Sequence, residues 1–148
     1  MELQQQIEQA LKDAIREKNE DKRDAIRSLL TAVKNKEKEL KRLPNETEIQ
    51  QLIATQIKQR RESAEQYGLA GREDLAGKEK NEISILQAFL PEALTPEQLN
   101  QMVEEAIKEI DARLPKDMGK VMKVLMPKIA GRADGKQVNE LVRAKLQG

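Results

Sequence analysis

The sequence predicts an all-α protein, a multihelical N-terminal bundle followed by a small three-helix C-terminal module. Three observations carry this. Along nearly all of the 148 residues, apolar side chains recur at three- and four-residue spacing, which is the period of one helix face. Tyr67 and Phe89 are the only aromatics, so packing falls to Leu, Ile, Val, Met and Ala, a palette better suited to helices than to sheets. Charge is high and mixed, with 27 Lys and Arg against 26 Asp and Glu, and helix-favouring Glu, Lys, Gln and Ala are abundant.

About seven helices follow from the pattern. Leu3, Ile7, Leu11, Ala14 and Ile15 form the first apolar stripe, and the polar KNEDK run ends it. Ile26, Leu29, Leu30, Val33 and Leu40 form the second. In LPNETEI, Asn45 can cap the amides of a third helix while Glu48 reaches back to the cap. Ile49, Leu52, Ile53, Ile57, Ala64 and Tyr67 make its apolar face. Gly68 or Gly71 can take the left-handed conformation that ends it. A fourth helix is expected from about Asp74 to Leu90, over Leu75, Ile83, Leu86, Phe89 and Leu90.

The segment LPEALTPEQ marks a boundary. Two prolines interrupt helix there, while Thr95, Pro96 and Gln98 fit a cap, a first-turn proline and a capping-box partner. The expected division is an N-terminal domain over residues 1–91 and a C-terminal module over 92–148. Leu99, Met102, Val103, Ala106, Ile107 and Ile110 line the fifth helix. Met118, Val121, Met122, Leu125 and Met126 line the sixth, and Val138, Leu141, Val142 and Leu146 the seventh.

Cysteine and histidine are both absent. That removes the thiol nucleophile, the imidazole base, thiolate or imidazole zinc ligands and the disulfide. Glu104 and Glu105 are adjacent and diverge on a helix, and Ser28, Ser63 and Ser84 fall in different helical segments without an imidazole to activate them. The expectation is therefore no catalytic residue, no metal site and no cofactor. No apolar run is long enough to span a bilayer, and the first 20 residues are amphipathic and carry acids, unlike a leader. A cytoplasmic protein with no membrane partner is the expectation drawn from this.

The stretch KIAGRADGKQ approaches a phosphate-binding loop, but Gly131 and Gly135 stand one residue too close, and Gln137 occupies the position of the hydroxyl. Helical rather than strand spacing precedes it. A helix–turn–helix connection explains it better, with Gly131 ending one helix and Asp134 capping the next.

Charge is unevenly placed. Residues 92–112 hold one base against six acids, whereas residues 113–148 hold nine bases against three acids. A basic helical pair can meet phosphates through Lys, Arg and free helix amides; the alternative is a solvated face neutralised by the acidic fifth helix. The second helix has a similar excess, from Lys22 and Arg23 to Lys41 and Arg42, and Lys58, Arg60 and Arg61 of KQRRE add a cluster. Both are expected to be solvated faces.

The run DMGKVMKVLMPKIAGRADGKQVNELVRAKL closely resembles the C-terminal signature of the YqeY-like family, which is related to the tail of the GatB subunit of tRNA-dependent amidotransferases. IRSLLTAVKNKE, IKQRRESAEQY, AGREDLAGKEKNEISILQAFLP and LPEALTPEQL extend the resemblance over nearly the whole chain. The positions that match the family tail are Gly119, Lys120, Val121, Met122, Gly131, Ala133, Asp134, Val138 and Asn139. The resemblance implies a helical bundle with a three-helix module, and a tail that engages the body of tRNA while other regions of the larger enzyme carry the chemistry. Asp134-Gly135 departs from the Asn-Pro frequent in amidotransferase tails, and an acidic cap repels a nearby phosphate.

The expected function is a non-catalytic accessory module for tRNA or another structured RNA. Lys116, Lys120, Lys123, Lys128, Arg132, Lys136 and Arg143 would contact phosphates, and Asn139 would be a polar contact or a local hydrogen-bonding group. With two aromatics, recognition would depend on shape and backbone rather than on base stacking. The competing expectation is a protein-interaction adaptor that docks an amidotransferase, a synthetase or a ribosomal partner. A DNA-reading helix–turn–helix is the weaker third.

Overall fold

Seven α-helices and one 3-10 turn form the regular structure of the computed structural model, which describes residues 2–129 and 132–147; no strand occurs among them. The helices are α1 (Leu3–Arg16), α2 (Glu20–Leu40), α3 (Glu46–Leu69), α4 (Glu73–Gln87), α5 (Pro96–Glu109), α6 (Met118–Ile129) and α7 (Gly135–Gln147). The 3-10 turn, Pro115–Asp117, leads into α6. Packing divides the chain into two units, Met1–Leu90 and Pro91–Gly148.

Each unit has its own aliphatic core. In the first, Leu3 and Ile7 of α1, Ile26, Leu29 and Val33 of α2, Ile49, Ile53 and Ile57 of α3 and Ile83 and Leu86 of α4 are buried together. In the second, Leu99, Val103 and Ala106 of α5 meet Val121, Leu125 and Ile129 of α6 and Val138, Val142 and Leu146 of α7. The buried residues of α6 and α7 recur every four positions, so each helix keeps one face inward and leaves the opposite arc to solvent. Ile15, expected in the first stripe, is 50% exposed. It follows buried Ala14 at the last turn of α1, where the next residue points well round the helix from the core.

The helix starts follow the sequence closely. Asn45 Oδ1 accepts from Glu48 N at 2.8 Å and Glu48 Oε1 from Asn45 N at 2.9 Å. Arg42 adds two hydrogen bonds to the Glu48 carboxylate, at 2.7 and 3.1 Å. These contacts hold that carboxyl below its usual range, Arg42 contributing most. Thr95 and Gln98 make the same reciprocal pair at the start of α5, at 3.1 and 3.0 Å, with Pro96 in the first turn.

Helix α3 ends at Gly71, the left-handed residue at φ 74°. Arg72 N donates to Tyr67 O at 2.8 Å and Gly71 N to Gly68 O at 3.1 Å, so the last carbonyls are satisfied by the chain that follows. The same double bond closes α1, where Asn19 N reaches Ala14 O at 2.9 Å and Lys18 N reaches Ile15 O at 3.2 Å. Here the left-handed position is held by Lys18, at φ 58°. A side chain at that φ costs about 1 kcal/mol relative to glycine. Lys18→Gly should therefore raise the thermal midpoint by a few degrees in a melting experiment; a fall would contradict this account of the α1 terminus.

One part of KQRRE departs from expectation. Lys58 and Arg61 are exposed, but Arg60 lies on the inner side of α3 and donates through Nη1 to Glu82 of α4. Glu82 is 4% exposed, and Glu79 stands 3.6 Å from the same guanidinium. Arg60 continues the Ile53, Ile57, Ala64 stripe, so its register places it inside and the carboxylate answers its charge.

Candidate functional site

The second unit carries the sequence-predicted cations. On α6, Val121, Leu125 and Ile129 turn inward, which puts Lys120 and Lys123 on the outer arc, both exposed. Lys116 is exposed in the 3-10 turn just before them. That turn is fixed by Asp117, whose Oδ2 accepts from Arg113 N at 3.1 Å and Leu114 N at 3.2 Å. These backbone bonds hold the Asp117 carboxyl below its ordinary range, and Lys120 and Lys116 act in the same direction. On α7, Val138, Val142 and Leu146 turn inward. Lys136, Asn139 and Arg143, at spacings of three and four residues, share an exposed arc that also contains Glu140.

The start of α7 is capped as its sequence suggests. Asp134 Oδ1 accepts from Lys136 N at 3.0 Å, and its carbonyl accepts from Val138 N at 3.0 Å. A Cβ placed on Gly135 would lie 3.8 Å from the Met126 terminal methyl, an ordinary contact. The helix-ending role expected of Gly131 lies outside the described residues.

Two of the predicted phosphate ligands are engaged within the unit. Lys128 Nζ stands 3.5 Å from Glu109 of α5. Arg132 is partly buried, its Nε donates to Glu92 O at 3.1 Å, and its carbonyl accepts from Leu94 N at 2.9 Å. Arg132 therefore clasps the segment that enters α5. Lys145, which the sequence reading left out of the site, pairs with Glu104 at 2.9 Å, and that contact keeps the Glu104 carboxyl below its ordinary range. The acidic fifth helix thus neutralises Lys128 and Lys145. Lys116, Lys120, Lys123, Lys136 and Arg143 enter no ion pair among the described residues.

Sequence reading missed an open groove of about 570 Å³ between α3 and α4. Its floor includes Ala64, Ala76 and Ile83, and Arg61, Glu65, Glu73 and Lys80 stand around it. Small and charged residues give no motif, which is why the groove has no signature in the chain. Among the described residues, no group of three or more His, Cys, Asp or Glu side chains is placed to hold a metal ion, and no helix is long and apolar enough to cross a membrane.

Comparison with known proteins places these features in a family. The Yqey-like protein family model matches residues 4–146, and the chain belongs to that family. Among similar curated proteins is altered inheritance of mitochondria protein 41, mitochondrial, from Pyrenophora tritici-repentis, 31% identical over 142 residues that cover 91% of this chain and 78% of the relative. The protein of the same name from Saccharomyces cerevisiae strain YJM789 is 31% identical over 129 residues, covering 86% of this chain and 68% of the relative. These names correct the cytoplasmic placement expected from the sequence, since the relatives are named as mitochondrial proteins. The acid-bearing amphipathic pattern behind that expectation belongs to α1, whose Leu3 and Ile7 pack into the core, and it reports on folding rather than on compartment.

Proposed function

We propose that this YqeY-like chain is a non-catalytic accessory module that binds structured RNA, tRNA included, through the exposed cations of its second unit. The observation that carries the reading is the division of charge just described. Cations that face α5 are paired with its carboxylates, whereas Lys116, Lys120, Lys123, Lys136 and Arg143 are exposed and free of ion pairs among the described residues. Long, unpaired cations on helical arcs suit a phosphate backbone, and the near absence of aromatics disfavours recognition by stacking. Asn139 sits beside them on the α7 arc and supplies a neutral hydrogen-bonding group. Arg132 is assigned to the fold, not to RNA. The relatives' names support a mitochondrial setting for such a role.

Affinity for a folded tRNA should fall with salt, with a logarithmic slope of about −3 to −5 for about five neutralised phosphates. Changing Lys120, Lys123 and Arg143 to glutamate should weaken binding for all RNA sequences alike and flatten the slope by about 3. The same change at Lys12 and Lys58, exposed on α1 and α3, serves as the control for general basicity. Binding unaffected by the triple reversal would remove the RNA reading of this unit. Nuclease-resistant retention of a synthetase or amidotransferase would then favour the adaptor.

A further inference from the structure

We infer that α2 carries a second, separate anion-binding surface, a row of cations that lies along the phosphate backbone of double-helical RNA. Arg27, Lys34 and Lys41 stand seven residues apart, and Lys38 falls between the last two. Seven residues are close to two helical turns, so Arg27, Lys34 and Lys38 share one face, about 16 Å long at 1.5 Å per residue, and Lys41 follows them at the left-handed C-cap of the helix. Ala25, Ile26, Leu29 and Val33 are buried on the other side of the helix, whereas all four cations are exposed.

None of the four cations enters an ion pair among the described residues, while other charges of the helix are engaged. Arg23 pairs with Asp24 at 3.1 Å, Lys36 with Glu39 at 3.5 Å, and Asp24 also with Lys78 of α4 at 3.8 Å. Asp21 accepts from Asn81 Nδ2 at 2.9 Å. Glu20, at the N-terminal end, and Glu37 are the acids of α2 outside these contacts. Lys34 and Lys38, four residues apart on the helix, repel one another. An external polyanion accounts for that arrangement.

The chemistry of the face selects the polyanion. A membrane surface calls for apolar side chains beside the cations, to enter the lipid interface. On α2 itself Leu30, Ala32 and Leu40 are half-buried and the exposed neutral side chains are Ser28, Thr31 and Asn35; the single exposed Leu43 lies beyond the helix end. Single-stranded nucleic acid calls for stacking aromatics, and α2 has none. In double-helical RNA the deep, narrow major groove keeps base edges from side chains, so the cations of the row would meet phosphates. The choice of RNA over DNA rests on the reading of the second unit given above; the surface itself does not depend on it.

The test is binding of the full chain to a mixed-sequence 20-base-pair RNA duplex over a range of salt. Replacing Arg27, Lys34 and Lys38 together by glutamine, a good helix former, should weaken binding about tenfold or more at low salt and reduce the salt slope by about 3. Circular dichroism should show unchanged helicity. Were the triple variant to lose helicity, R27Q and K34Q singly would decide, each expected to reduce the slope by about 1. Unchanged affinity and slope in a folded variant would overturn the inference, as would tighter binding of the wild type to phosphatidylserine vesicles or to a DNA duplex of the same sequence. Loss on α2 substitution with no loss on C-terminal reversal would sink the reading of the second unit and leave this one standing. The converse result would do the opposite.

Discussion

Replacing Arg60 with methionine should destabilise the N-terminal unit by about 3–5 kcal/mol, and adding Glu82→Leu should recover most of that loss. The single change leaves Glu82, 4% exposed, without its counter-charge. The double change removes both charges and fills the site with apolar volume on α3 and α4, helices that already pack through Ile53, Ile57, Ile83 and Leu86. Glu79 remains, with its side chain 19% exposed and so able to turn toward water. Among the described residues Arg60 Nε is buried without a hydrogen-bond partner, so the native arrangement is itself incompletely satisfied, and the apolar pair relieves this. Urea unfolding of the two variants and the wild type measures the effect directly. Equal losses in single and double variants would mean that the site cannot be filled by hydrocarbon.

The pH dependence should follow the same carboxylate. Burial raises the Glu82 carboxyl above its ordinary value, Glu79 and Asp21 act in the same direction, and Arg60 and Lys78 oppose them. A raised value means that the folded state binds this proton more readily than the unfolded chain, so its contribution to stability declines as pH rises from the ordinary 4.5 through the folded value. Arg60→Met removes the principal opposing charge. Its penalty relative to wild type should therefore be largest near neutral pH and shrink as pH falls toward 4.5. Glu48 and Asp74 of the same unit are lowered by their arginine partners and lose stability on acidification, but they are common to both proteins and cancel in the difference.

Helix faces and helix starts were legible in the chain because both are local. Asn45 with Glu48, and Thr95 with Gln98, are three residues apart, and the bonds they make are those their spacing implies. What escaped was set by partners distant in sequence. Nothing local in the chain indicates that Arg132 donates its Nε to the carbonyl of Glu92, 40 residues earlier. Nor does anything local indicate that Lys128 stands across from Glu109. For Arg60 a signal existed: it falls between Ile57 and Ala64 on the apolar period, and Glu79 and Glu82 fall on the apolar period of α4. A base and an acid that interrupt two facing stripes are evidence of a buried pair. Reading KQRRE by composition, rather than by register, hid it.

Leu125→Ala should cost the second unit about 2–5 kcal/mol, against a smaller loss for Leu141→Ala. Leu125 is 0% exposed in the middle of α6, flanked on its own face by Val121 and Ile129 and packed with Val103 of α5 and Val142 of α7. Truncation there leaves a cavity bounded by three helices that cannot all close upon it. Leu141 is only partly buried at the edge of the same cluster, so part of its side chain is already in water and less is lost. For a unit of about 58 residues, total stability at about 0.05–0.15 kcal/mol per residue is about 3–9 kcal/mol. The Leu125 change alone can therefore bring α5, α6 and α7 close to unfolding. Amide exchange is the appropriate measurement, since loss of protection can be assigned helix by helix. If the free cations of α6 and α7 hold RNA as proposed, Leu125→Ala should also weaken tRNA binding without removing a single charge, and added tRNA should restore protection by mass action. A cost near zero for Leu125, or equal costs at the two positions, would show that the inward face of α6 has been misassigned.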